Sequence, residues 1–267
     1  MAKNIKVKTS SPSGDLISFL SGFKQLHKLH GKRIKIYQHL NVVGESYAGA
    51  SHPYFDGNDN PVLFNEYAFK MMGPLLLSQP YIDDFVVYQG EQVDFDMDKI
   101  RQEIFTNQPK GSLNRWFFYA FPEMANNLAD PWLYVNPIYN NRIIINFTER
   151  HRNPYVNYFF LNEYKDKILF AGLEKEYELF QKQNNLEIDY LQVEDFYQLA
   201  QAIAGCKFFM GCQSFCFQLA ESMKVPRILE IFPVLPNVIP IGDHAYDAYH
   251  QSAIEFYFKK LYNESYN

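Results

Sequence analysis

Two periods of apolar and polar residues run through the chain, and the places where one gives way to the other mark its elements. Ile5-Lys6-Val7-Lys8-Thr9 alternates as a half-buried strand does, and Ser10-Ser11-Pro12-Ser13-Gly14 interrupts it as a loop. From Asp15 onward Leu16, Ile17, Phe19, Leu20, Phe23, Leu26 and Leu29 recur at helical spacing. Gly31 ends that helix, and Arg33-Ile34-Lys35-Ile36-Tyr37 restarts a strand, completing a βαβ unit. Residues 41–62, rich in Gly, Ser, Asn, Asp and Pro, read as an irregular surface loop. A short helix over Glu66–Leu77 and a strand at Phe85-Val86-Val87-Tyr88 follow. Residues 114–128 read as an aromatic-rich helix, and residues 130–135 as a connector to a boundary near residue 138.

The second half repeats the alternation. Arg142-Ile143-Ile144-Ile145-Asn146-Phe147 is an apolar strand, and Lys167-Ile168-Leu169-Phe170-Ala171-Gly172 is another. Helices are expected over residues 174–183 and 193–203, with brief strands at 188–190 and 206–210. After the last of these strands comes a tight polar turn, Gly211-Cys212-Gln213-Ser214. A helical face at Leu219, Ala220 and Met223, the stop at Pro226 and a strand from Arg227 to Ile231 complete the series. Residues 252–262 form an aromatic C-terminal helix. Strands alternating with helices predict an α/β fold with parallel sheets, divided into lobes at 1–138 and 139–267.

Composition narrows the class. No window approaches the roughly 18 apolar residues of a membrane span, and the N-terminus lacks the apolar core of a signal peptide, so a cytoplasmic location is expected. A net charge of −5 argues against general nucleic-acid binding, which rests on neutralising phosphates. The 17% aromatic content suits core packing or stacking platforms for sugars and bases. Cys206, Cys212 and Cys216 lie in one apolar segment without a paired CxxC or nearby His, so reduced buried thiols are expected and no metal site. Asp94, Asp96 and Asp98 lack the Gly and terminal Glu of a calcium loop and read as a solvated strand edge.

Ligands of open parallel sheets bind beyond the carboxyl ends of the strands, so the polar residues there are the candidates. They are Thr148, Glu149, Arg150, His151, Arg152 and Asn153 after one strand, and Gly172, Glu174 and Glu176 after the next. Gln213 and Ser214 follow the strand ending in Gly211, and Glu230 lies at the end of the last. The first turn of a helix has unpaired N–H groups and the positive end of its dipole, which suits phosphate. Gly211 permits the sharp turn, Ser214 can cap the helix, and Gln213 offers a side-chain donor. Arg150 and Arg152 read either as solvated loop charges or as guanidinium forks for a diphosphate, with carboxylates nearby for sugar hydroxyls.

The Gly14-Asp15 turn opening the first helix, and the late Gly-x-x-Ser turn followed by helix, Pro226 and strand, resemble glycosyltransferases of the GT-B fold, in particular the heptosyltransferase group of glycosyltransferase family nine. The resemblance covers most of the chain in order of elements, but its motifs cover about thirty residues. It implies two Rossmann-like lobes with a cleft between them, the first on the acceptor side and the second binding the donor. It also implies metal-independent, inverting transfer of a sugar from a nucleotide-diphosphate donor to a hydroxyl acceptor, with no other cofactor. Asp15 then matches the proposed base, with His151 and His52 in reserve, while His27 and His30 read as surface residues. Arg150, Arg152, Asn153, Gly172, Gly211, Gln213, Ser214 and Glu230 are the donor-side candidates. The chain departs from the family in its shortness, in Gln213 where the family has Asp, and in lacking a counterpart to the donor-binding Lys. An epimerase or hydrolase acting on nucleotide sugars, and a non-catalytic binding protein on the same scaffold, remain alternatives.

Overall fold

The computed structural model describes residues 4–44, 54–102 and 111–264. It divides into two compact units. One takes Met1–Leu128, Trp132–Tyr134 and Asp195–Tyr197; the other takes Ala129–Pro131, Val135–Glu194 and Gln198–Asn267.

The first unit is built on β1 (Ile5–Thr9), β2 (Ile34–Gln38), β3 (Ile82–Val87) and β4 (Phe95–Asp96), all parallel in the order β3-β2-β1-β4. Helix α1 (Ser13–His30) connects β1 to β2. Asp15 complements the dipole of its first turn, and Gly31 ends it at φ 64° with its N–H on His27 O at 2.8 Å, a backbone shape that costs Gly little. Leu16, Ile17, Leu20 and Phe23 are fully buried. Helix α2 (Glu66–Leu77) starts at Asn65, whose side chain accepts from Ala68 N at 3.0 Å.

One expectation for this unit changes. In place of a continuous helix over 114–128 stand 3-10 turns at Leu113–Arg115 and Pro122–Met124 flanking the five-residue α3 (Trp116–Ala120). Pro122 has no N–H and disfavours a helical Phe121, which sits at φ −137°. The aromatic run is used for packing instead: Phe117 meets Phe19 edge-on at 5.4 Å and fills the space a Cβ at Gly22 would need. The alternating aspartates stand at an edge strand with Asp94 and Asp96 exposed, as expected, and they act as ties as well. Asp94 accepts from Lys6 N at 2.8 Å, Lys8 Nζ reaches Asp96 and Asp98 at 3.0 Å each, and Asp98 also accepts from Ser10 N at 2.7 Å and Ser10 Oγ at 2.9 Å.

The second unit carries β5 (Ile143–Asn146), β6 (Ile168–Phe170), β7 (Asp189–Tyr190), β8 (Phe208–Gly211), β9 (Arg227–Glu230) and β10 (Ala245–Ala248), all parallel in the order β10-β9-β8-β5-β6-β7. Its helices are α4 (Glu174–Asn184), α5 (Phe196–Ala204), α6 (Phe215–Met223) and α7 (Gln251–Asn263), with α5 beginning in residues assigned to the first unit. Every residue of β5 is buried, as expected of a central parallel strand. Ile254, Phe258 and Leu261 of α7 close the same core. The strand β10 and the 3-10 segment Phe159–Lys167 were not foreshadowed by the pattern.

A buried ionic knot pins the stretch leading to β10. Glu221 takes Arg227 Nε at 2.5 Å and Lys224 Nζ at 2.6 Å, and both cations donate to Ile241 O. Burial lowers the Lys224 pKa to about 8 despite the Glu221 carboxylate beside it.

Candidate functional site

The strand order of the second unit locates the site. From β5 the chain steps outward through β6 and β7, then returns to β8 on the other side of β5 and steps outward through β9 and β10. The carboxyl ends of β5 and β8 are therefore the switch point, where the connecting segments diverge and leave a crevice. The segments leaving it are residues 147–153 and 212–214.

Asn146, ending β5, is hemmed in by two glycines. A Cβ on Gly211 would lie 2.5 Å from Asn146 O, and one on Gly172, at φ 151°, would lie 2.5 Å from Asn146 Nδ2. Only glycine allows both neighbours to come so close. Asn146 Nδ2 donates to Ala171 O at 2.6 Å, while its Oδ1 is buried without a donor. At the end of β8, Ser214 caps α6 by accepting from Phe217 N at 3.2 Å.

Arg152 is the best-held charge of the site. Its Nε donates to Glu230 Oε1 at 3.2 Å, and its guanidinium lies 4.8 Å from the Phe147 ring centre and 5.4 Å from that of Tyr158. Glu230 is fully buried and also accepts from Asn153 N and the Tyr158 hydroxyl. Burial opposes the Arg152 charge, but the Glu230 carboxylate outweighs it and raises the pKa, while burial beside Glu230 raises the Tyr158 pKa well above its ordinary value. Arg152 lines a cavity of about 370 Å³. Phe147, Val156, Leu179 and Phe180 form apolar walls there, and Thr148, Glu149, Asn153, Glu176 and Gln183 supply polar groups.

Arg150 acts on a different carboxyl, that of Glu176. It lies close enough to Glu176 to oppose the burial that raises that carboxyl's pKa. Between the arginines, His151 sits at φ 57°, its ring stacked on Phe232 at 5.5 Å and its Nδ1 3.4 Å from Gln213 O. Burial, helped by the Arg150 charge, lowers its pKa.

The geometry gives several of the expected residues protein partners. Arg152, Asn153 and Glu230 come together through direct bonds, so Glu230 faces inward as a support for Arg152. Gln213 does not present its amide hydrogens to a phosphate: they go to Leu235 O at 3.0 Å and Asn237 Oδ1 at 2.6 Å, while its Oε1 accepts from Phe232 N at 3.2 Å. Asp15 belongs to the first unit, where Arg101 NH2 pairs with it at 2.9 Å. His52 lies outside the described residues. Two participants went unforeseen, Tyr158 and Asn146, although a lone polar residue closing the apolar run Ile143-Ile144-Ile145 was a signal for the second. Among the described residues no three of His, Cys, Asp and Glu are grouped to hold a metal ion, and no helix is long and apolar enough to cross a membrane.

No protein-family model and no curated protein sequence matches the chain. Solved structures do. The glycosyl transferase family 9 protein from Veillonella parvula DSM 2008 aligns with a TM-score of 0.60 at 12% identity, over 100% of this chain and 90% of that one. E. coli heptosyltransferase WaaC, solved with ADP, aligns with a TM-score of 0.63 at 9% identity, over 97% and 100%. The dodecameric iron-containing heptosyltransferase TibC, solved with ADP-D-beta-D-heptose, aligns at 0.52 and 10% over 91% of this chain and 61% of that one. The chain therefore has the two-sheet α/β architecture of GT-B-like glycosyltransferases.

Proposed function

We propose that this chain is a glycosyltransferase that moves a sugar from a nucleotide-diphosphate donor to a hydroxyl acceptor, metal-independently and with inversion. The observation that carries the reading is the open edge of Arg152 at the switch point. Its Nε side is anchored on a buried carboxylate, its face rests on two rings and the residue lines the cavity, while no protein partner is recorded for its terminal nitrogens among the described residues. A fork fixed in advance stabilises a developing diphosphate charge without reorganising during the reaction. Arg150 and the N-terminus of α6 add positive potential. The apolar cavity walls suit a base, and Glu176 and Asn146 Oδ1 suit donor hydroxyls.

In this reading Asp15 is the base that takes the acceptor proton, and its pairing with Arg101 fixes the direction of its carboxylate. The two acceptor-side and donor-side roles fall to the first and second units, and the protein works in the cytoplasm. Solved relatives of this fold bind ADP and ADP-heptose by name, so ADP-sugars head the panel of donors.

The test is a thermal-shift and calorimetric screen of nucleoside diphosphates and their sugars, followed by product analysis with and without a chelator. ADP binding that is lost in Arg152→Gln, with sugar transfer that survives chelation, supports the reading. Failure of every nucleoside diphosphate to bind removes it. Sugar release to water or a changed epimer would replace transfer by hydrolysis or epimerisation, and transfer at the parent rate by Asp15→Ala would remove Asp15 as base.

A further inference from the structure

We infer that Gln213 is a latch: through Phe232 and His151 it holds the segment that carries Arg150 and Arg152 beside one cavity, and so selects a diphosphate over a monophosphate. The inference rests on the donor reading above for the ligand, but not for the latch itself.

The side-chain amide of Gln213, almost fully buried, binds three points of one loop: Phe232 N, Leu235 O and Asn237 Oδ1. Both of its hydrogens are thereby used, so an amide positioned where a ligand contact was expected instead holds residues 232–237 to the turn after β8. The loop is pinned at its far end as well, because the Glu221–Arg227–Lys224 knot binds both N–H and C=O of Ile241. Phe232 is the first residue the latch secures, and it carries the His151 ring.

His151 needs that support. A non-glycine residue at φ 57° is strained and persists only where its surroundings impose it. Gln213 O near Nδ1 and the Phe232 face are two such surroundings from one latched unit. The left-handed turn at His151 has a direct consequence for its neighbours. Arg152 reaches Glu230 at the end of β9, on the β8 side of the central strand. Glu176 on α4, the helix after β6, lines the same cavity as Arg152, and Arg150 is close enough to Glu176 to act on its carboxyl. One phosphoryl group meets one of these cations. Two linked groups can meet both, so the arrangement favours a diphosphate by a second charge-assisted contact.

Two measurements test this. In hydrogen exchange, Gln213→Ala should accelerate the amides of residues 148–153 together with those of 232–237, while β5 and β8 keep their protection. Unchanged exchange in 148–153 overturns the latch, whatever binds. In calorimetry with ADP and AMP, Gln213→Ala should weaken ADP about tenfold, the loss of one to two hydrogen bonds' worth of order, and AMP far less. An equal loss for both nucleotides, or none for ADP, overturns the selection of diphosphate. Asn237→Ala removes one latch partner from outside the turn; it should shift exchange and ADP affinity in the same direction by less, and should add little to Gln213→Ala in the double variant. Absence of ADP binding by the parent chain removes the donor reading and the selectivity with it, and the exchange result still decides whether the latch exists.

Discussion

The two sheets end in differently built carboxyl edges. At the first, carboxylates tie β1 and the loop after it: Asp98 holds the backbone of Ser10, Asp94 that of Lys6, and the Lys8 side chain is shared between Asp96 and Asp98. Polar atoms are left over there, with Ser11 Oγ and Gln38 Oε1 buried and unpartnered. At the second, side chains hold one another, Arg152 and Tyr158 on Glu230 and Gln213 on its loop, with Asn146 Oδ1 as the one polar atom left over among the described residues there. The first edge thus fixes backbone and leaves side chains under-used; the second fixes side chains in advance. Pre-set side chains are what charge stabilisation in catalysis requires, so the contrast argues that the second edge holds the group whose charge changes most.

The strongest way to break the comparison is to remove the buried anchor. Glu230→Ala leaves Arg152 partly buried and unpaired, and should cost about 3–5 kcal/mol in urea unfolding. The matching change at the first edge, Asp98→Ala, frees two bonds to Ser10 and half of a shared, partly exposed ion pair, and should cost only about 1–3 kcal/mol. Equal losses would mean that the two edges are held alike.

This difference was only half visible in the sequence. The alternation of periods was enough for the βαβ order, for α1 from its spaced apolar positions to Gly31, and for α2 over Glu66–Leu77, because each is set by local burial and local stop signals. It failed where a neighbour decides: Pro122 breaks the 114–128 helix, and β10 exists by pairing with β9 despite a weak pattern of its own. At the site, Arg150, Arg152, Gln213 and Ser214 were legible as polar residues after strands. Glu230 was legible in the same way, but its pairings were not, since Arg152 and Tyr158 lie 78 and 72 residues from it. The role of Gln213 was misread for the same reason: a spare amide and a saturated one are identical in sequence.

A smaller test exploits the leftover polar atoms. Both amide atoms of the fully buried Asn114 in the first unit are unpartnered, so Asn114→Leu should be neutral or stabilising by up to about 1 kcal/mol. Asn146 differs, having one amide atom engaged and one waiting. Asn146→Leu should lose stability by about 1–3 kcal/mol and lose ADP affinity as well. If Asn146→Leu behaves like Asn114→Leu, the switch point carries no poised acceptor. A carboxylate at the latch sharpens the same point: Gln213→Asp should weaken ADP rather than strengthen it, because an aspartate cannot donate to Leu235 O and Asn237 Oδ1.

The smallest effect is the titration of His151. Its folded pKa is lowered, chiefly by burial, so above the unfolded value of 6.5 the ring is neutral in both states and contributes no pH dependence. As the pH falls below 6.5 the unfolded chain binds the proton first, and stability must drop until the folded pKa is passed. Between those two values the parent chain should therefore lose stability relative to His151→Gln, with the difference flat above pH 7. Urea midpoints for the pair from pH 5 to 7.5 measure it, and a difference that grows with rising pH would contradict the burial of the ring against Phe232. The same titration bears on ligand binding with opposite weight. A protonated His151 adds a cation between two arginines, so ADP should bind more tightly as the pH falls through the window in which the folded chain loses stability. Loss of stability with gain of affinity over one pH range would identify the ring as part of the anion site; parallel losses would confine it to packing.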